Sequence, residues 1–192
     1  MWTMAILTLM MFFVITGFNK TDFNKDFASF DRAFVPPLAL TNAGKVKPSK
    51  KGMKILMQNW ETLKAKYYDA NPNDPQWKED FDKMEGQIMS AGEIVKGGQD
   101  LMKAHEELEE IRIITMEMRK RNNIEYFIDP LTEFHTLMEA MFHTGQDNSP
   151  EDLSPDMIED LSETLAEAEA LWKKIGESDF DPTVFGFNEQ QT

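Results

Sequence analysis

Apolar side chains recur along most of the chain at steps of three and four residues, which is the spacing of one face of an α-helix. The first regular stripe predicts helix A over about residues 49 to 70. Similar stripes predict helix B over 75–98, helix C over 99–121, helix D over 130–143 and helix E over 155–176. Turn and capping signals separate these helices. They are Asp74-Pro75, Gly97-Gly98, Asp129-Pro130 and Ser154-Pro155.

No segment shows the alternating pattern of a β-strand, and the five helices are similar in length with short connections, which favours antiparallel neighbours. We therefore predict an all-α fold: an antiparallel up-and-down four-helix bundle with an additional C-terminal helix, within residues 49–176. Helices A to D are expected to form the core and helix E to pack alongside. Residues 177–192 are expected to be an irregular tail.

A lead-in segment, residues 19–48, precedes these helices. Phe23, Phe27, Phe30 and Phe34 have helical spacing in it and predict a short amphipathic helix. Two consecutive prolines, at 36 and 37, should stop this helix because proline lacks the backbone N–H group. We expect the lead-in to pack on the outside of the bundle.

The N-terminal residues 2–18 contain no charged side chain, so residues 1–18 predict a signal peptide or a membrane anchor. No basic residue precedes this run and no A-x-A site follows it; the first basic residues, Lys20 and Lys25, come after it. We expect an exported protein, periplasmic or held at the membrane by residues 2–18. The alternatives are an anchor with the remaining chain in the cytoplasm, as the following lysines favour, and a buried core helix.

The charge of the chain narrows the class of partner. Lys and Arg number 20 and Asp and Glu 34, a net charge of −14, which argues against nucleic acid. From residue 147 onward there are thirteen acidic residues against two lysines, whereas residues 45–54 hold five lysines and no acid. Because cysteine is absent, disulfides, thiolate zinc sites, iron–sulfur clusters and covalently attached c-type haem are excluded.

Two histidines have a glutamate four residues further on, one helical turn away: His105 with Glu109, and His135 with Glu139. Histidine and carboxylate ligands on facing helices are how bundles hold transition-metal ions, so these four residues are the candidate metal ligands. The register disfavours one shared site, because His105 and His135 would lie about 16 Å apart along the bundle axis. An early end of helix C, or a connection that folds back along the bundle, would remove this gap. Surface ion pairing explains the same spacing without a metal.

Helix B contains Gly86 and Gly92 in its interior. An interior glycine costs a helix about 1 kcal/mol relative to alanine. We expect either a close approach of a neighbouring helix or space for a ligand at these positions.

Residues 86–112, GQIMSAGEIVKGGQDLMKAHEELEEIR, combine a glycine-bearing helix, a short glycine turn and an A-x-x-x-L-x-x-x-R pattern. This run resembles the third and fourth helices of the periplasmic four-helix-bundle cytochromes, of the b-type and c-prime kinds. The resemblance implies a helical bundle outside the cytoplasm and raises non-covalent haem as a cofactor. The b-type proteins place a histidine near the end of the last helix, whereas ITMEMRKR, residues 114–121, has Met116 and no histidine. Met116 and His135 are then the candidate axial ligands.

We predict a non-enzymatic exported bundle that binds an unknown protein partner or a small ligand. One candidate ligand is a transition-metal ion held by the His/Glu pairs. The alternative is a non-covalent haem or redox carrier. An enzyme is not expected, because no motif places a nucleophile beside a base. The identity of any cofactor is left open by the sequence.

Overall fold

The computed structural model describes residues 18–178, which form six α-helices and one short 3-10 turn at Pro150–Asp152. Within this range no β-strand occurs, and none of the helices is long and apolar enough to cross a membrane. The all-α prediction is confirmed. The helices are α1 (Lys20–Asn42), α2 (Val46–Tyr67), α3 (Trp77–Gly97), α4 (Leu101–Arg121), α5 (Ile128–Asp147) and α6 (Pro155–Glu177).

The predicted helices A to E correspond to α2 to α6, and the antiparallel bundle with an additional C-terminal helix is confirmed. Helix α1 packs on α2, α2 on α3, α3 on α4, and α4 back on α1, so these four helices enclose the core. Helices α5 and α6 pack on each other, and α5 joins this pair to the bundle along α4.

The expectation that the lead-in packs outside the bundle is wrong. Helix α1 continues through both prolines, and its four phenylalanines are at most 3% exposed in the centre of the core. Burying a phenylalanine contributes about 1.5–3 kcal/mol, so the four contribute about 6–12 kcal/mol, which matches or exceeds the roughly 6 kcal/mol lost at the two helix-interior prolines. Helix D, expected in the core, is displaced by α1 and becomes α5, in which only Thr132 is buried.

Helices α1 and α2 approach each other closely at a glycine that was not singled out from the sequence. A Cβ atom on Gly52 of α2 would lie 3.2 Å from the ring of Pro37 on α1. By contrast, a Cβ on Gly86 would meet nothing within 4 Å, and one on Gly92 would make ordinary contacts of 3.8 Å or more. Of the two alternatives for Gly86 and Gly92, a close helix approach does not hold at either glycine, and the close approach of two helices lies at Gly52 instead.

Two predicted segments fall almost wholly outside the described residues: the signal peptide or anchor, residues 1–18, and the irregular tail, residues 177–192. Phe18 is the described residue of the first segment. Its ring contacts those of Phe23 and Trp77 at centroid distances of 5.0 and 5.2 Å.

Candidate functional site

The two histidines and their glutamates form a row between α4 and α5. His105 Nε2 lies 3.7 Å from Glu109 Oε1, and the other oxygen of Glu109 lies 3.9 Å from His135 Nε2. His135 Nε2 is in turn 3.2 Å from Glu139 Oε1. Glu109 therefore stands between the two histidines, which the simple register placed about 16 Å apart along the axis.

The connection between α4 and α5 explains this register. It folds back against the bundle: the N–H of Ile124 donates to the carbonyl of Arg119 at 2.9 Å, and Tyr126 is buried. Asp129, at the start of α5, then pairs with Arg119, two residues before the end of α4. Of the two arrangements that would close the gap, the structure adopts the folded-back connection.

The row is already engaged in protein contacts. Arg112 Nη1 donates to Glu109 Oε2 at 2.7 Å, and His105 Nδ1 lies 3.1 Å from the Leu38 carbonyl at the end of α1. Within residues 18–178, no group of three or more His, Asp or Glu side chains could hold a metal ion together. The metal role of His105, Glu109, His135 and Glu139 therefore stays a prediction, and the observed contacts are those of an interhelical polar network.

The candidate haem ligand Met116 lines a cavity of about 560 Å³ between α4, α5 and α6. Its neighbours there include Ile113, Leu137 and Leu171. His135 is not among the lining residues; its Nε2 faces Glu109 and Glu139 instead. The structure thus does not bring the proposed axial pair, Met116 and His135, into one cavity.

A buried ionic network joins α1, α4, the α4–α5 connection and the start of α5, and it was not predicted from the sequence. The Arg119 side chain is 3% exposed, and its Nε donates to both oxygens of Asp129 at 3.0 Å. Its guanidinium also stacks 4.5 Å from the ring of Tyr126, whose hydroxyl donates to Asp31 on α1. Burial raises the pKa of Asp31, and burial likewise raises the pKa of Asp129, although Arg119 opposes both shifts. The network fixes the path of the folded-back connection against α1 and α4.

In the sequence, Arg119 stands only as one of three consecutive basic residues, Arg119 to Arg121, in the last turn of α4, where the helix dipole favours cations. Its partners come from α1, the connection and α5, so no local spacing could have identified them. The pairing of Asp129 could not be read from its capping position before Pro130 either.

Five of the nine large apolar side chains that are exposed within residues 18–178 lie on the α5–α6 hairpin. In α6 only Ala168 is buried, and in α5 only Thr132. Side chains that are about half exposed follow both helices. They are Met138 (47%), Phe142 (62%), Ile158 (51%), Leu165 (50%) and Trp172 (57%).

These side chains follow one stripe on each helix. Met138 and Phe142 are one turn apart on α5, and Ile158, Leu165 and Trp172 are spaced by seven residues, two turns, on α6. The rings of Phe134 and Trp172 contact at a centroid distance of 5.0 Å and join the two stripes. The residues that face α4 across the 560 Å³ cavity are different ones. We call the two joined stripes the hairpin face.

The charge of the protein is concentrated on this hairpin. Residues 128–178 hold thirteen acidic and two basic residues, a net charge of −11, whereas residues 18–127 hold eighteen of each and are neutral. The acidic C-terminal quarter is visible in the sequence, whereas the electrical balance of the four-helix core depends on which helices enclose it. An exposed apolar surface on an acidic hairpin is therefore attached to a neutral bundle.

No protein-family model, curated protein or solved structure matches this chain.

Proposed function

We propose that this protein is a non-enzymatic binding module whose hairpin face docks a basic amphipathic helix of a partner protein. The observation that carries this proposal is the exposure of five large apolar side chains on a hairpin of net charge −11. Soluble proteins seldom expose apolar side chains as one contiguous patch without a binding role. The export of the protein, proposed from residues 1–18, would place this partner outside the cytoplasm.

The spacing of the face suits a helix as the partner. Apolar side chains of a docking helix recur at three, four and seven residues, and the stripe on α6 has the same seven-residue period. The contact would turn the α5–α6 pair into a bundle of three helices, with its apolar stripes removed from water.

The charge selects a basic partner. Glu169 lies four residues after Leu165 and three before Trp172, on the side of α6 that carries the stripe, and Glu159 directly follows Ile158; both carboxylates are exposed. Lysine and arginine on the partner would complement these carboxylates and speed the encounter, an effect that salt weakens. A second copy of the hairpin would bring another charge of −11 to the same contact, which disfavours symmetric pairing through this face.

The experiment uses the fluorescence of Trp172 as the reporter, because Trp60 and Trp77 are at most 2% exposed; the fourth tryptophan, Trp2, lies outside the described residues, and its emission is removed by the spectral blank. A synthetic Leu/Lys amphipathic helix is titrated into the full chain, with the Trp172→Phe variant as the spectral blank. We expect the emission of Trp172 to shift to the blue and the affinity to fall as salt is added. A peptide of the same composition with its apolar residues scattered around the helix serves as the charge-matched control.

Matched variants separate docking from simple charge attraction. Phe142→Ser and Leu165→Ser remove exposed apolar groups from the face without changing the charge, and we expect each to weaken binding about tenfold. Ile55→Ser, at a 43% exposed position on α2, should leave binding unchanged. Equal affinity for the amphipathic and scattered peptides, or no effect of the two hairpin variants, would refute the proposal.

A further inference from the structure

A second apolar surface lies on the other side of the molecule, in a groove of about 450 Å³ between α2 and α3. Three methionines, Met53, Met57 and Met89, together with Val95, supply its apolar lining. Met53 and Val95 belong to the core, being 3% and 1% exposed, while Met89 is 50% exposed at the edge. The groove is distinct from the hairpin face, which reaches the bundle along α4.

Glycine keeps this groove open. Gly92 lines it, and a Cβ atom at this position would lie 3.8 Å from Met57 Sδ and 4.0 Å from Met53 Cε. These are ordinary contact distances, so the packing of α3 on α2 does not require glycine here. Because an interior glycine weakens a helix relative to alanine, the open space above the two methionines is its evident effect.

The rim of the groove is basic. Lys50 and Lys54 stand one turn apart on α2, and within residues 18–178 neither forms an ion pair with a carboxylate. On the α3 side Lys96 is held by Glu93 at 3.3 Å. An apolar groove therefore opens beside two ammonium groups that are available to an anion.

We propose that this groove binds a free long-chain fatty acid, with its acyl chain along the methionines and its carboxylate at Lys50 and Lys54. Methionine side chains are unbranched and adaptable, which suits a flexible chain without a fixed shape. The volume lies in the range of small-ligand sites, and the polar groups are confined to the rim, as such a ligand requires. A single chain fits this volume better than the two chains of a phospholipid.

The test measures the binding of oleate to the full chain by calorimetry, below the micellar concentration, with oleyl alcohol as the uncharged analogue. We expect oleate to bind about tenfold more tightly than oleyl alcohol. In the Lys50→Gln/Lys54→Gln variant this preference should disappear. Lys51→Gln removes a neighbouring charge that does not line the groove, and it should bind oleate like the unaltered chain.

A second pair of variants tests the groove itself. Gly92→Leu fills the space above Met57 and should weaken oleate binding at least about tenfold, whereas Gly86→Leu, at an open position of the same helix, should not. Circular dichroism checks that both variants fold. If Gly92→Leu does not fold, the surface lysine variants still test the proposal. No oleate binding by the unaltered chain, equal binding by Gly92→Leu, or binding only to anionic vesicles would overturn the proposal.

Discussion

The substitution Arg119→Met would show how much the buried network contributes to stability. It keeps the length of the side chain against the ring of Tyr126 but leaves the carboxylates of Asp31 and Asp129 without their cation. Breaking a buried ion pair in this way costs about 3–5 kcal/mol. Because the Asp129 side chain is still 16% exposed, we expect the lower end of that range.

A loss of about 3 kcal/mol is a large part of the 5–15 kcal/mol typical of a domain. With a urea m-value of about 2 kcal/mol per molar, the unfolding midpoint would fall by about 1.5 M at pH 7. The assay is urea unfolding followed by circular dichroism at pH 7 and again near pH 4. The difference between variant and unaltered chain should shrink at the lower pH, because burial raises the pKa of both carboxyl groups and they then take up protons.

Lys83→Met is the control, because Lys83 pairs with Glu79 on the surface and both side chains are more than half exposed. It should not change the midpoint measurably. A loss below about 1 kcal/mol for Arg119→Met, or an equal loss at both pH values, would show that the network does not act as a buried ion pair.

Three further predictions concern other parts of the bundle. The pKa of Asp31 is raised in the folded protein, so its contribution to stability is present below its unfolded pKa and is lost as the pH rises through the folded pKa. In urea unfolding, Asp31→Asn should therefore gain stability relative to the unaltered chain as the pH is raised from 3 to 7. A difference in stability between the two chains that does not depend on pH would contradict this. Gly52→Ala should lower stability by about 1–3 kcal/mol because the rigid ring of Pro37 lies 3.2 Å from the added methyl group, whereas Gly86→Ala, with open space around it, should raise stability by about 1 kcal/mol in the same assay. His105→Ala should lower the free energy of unfolding by about 1–2 kcal/mol, because the contact with a carbonyl of α1 is lost. Elemental analysis of the chain purified without chelators tests the metal prediction separately. Near-stoichiometric iron, zinc or copper in the unaltered chain that disappears in His105→Ala would support that prediction.

Hydrophobic periodicity and capping residues were sufficient to predict α2, α3, α4 and α6 within a few residues. These signals are local: a stripe such as that of Met53 and Trp60 needs only its own helix to be recognised. The spacing of His105 with Glu109, and of His135 with Glu139, was also visible, because one helical turn relates each pair.

The length of α1 and its place in the core could not be predicted from local signals of this kind. A proline pair is a strong local stop signal, but the energy that carries the helix past Pro36 and Pro37 comes from burying phenylalanines against other helices. A short stretch of sequence does not show this burial energy, because it depends on contacts with other helices. Because its phenylalanines are buried, α1 takes the place in the core that was predicted for helix D. Helix D then becomes α5, and the hairpin face is left exposed.

By itself, the sequence determined the helical class, the positions of most helices and the acidic character of the last quarter, since these depend on residue type and on spacing within one turn. Only the tertiary structure decided which four helices enclose the core, which carboxylates pair with Arg119, and that Glu109 lies between two histidines from different helices. Those outcomes depend on the folded-back path of the connection after Arg121. That path is set by contacts between residues about a hundred positions apart, such as the hydrogen bond of Tyr126 to Asp31.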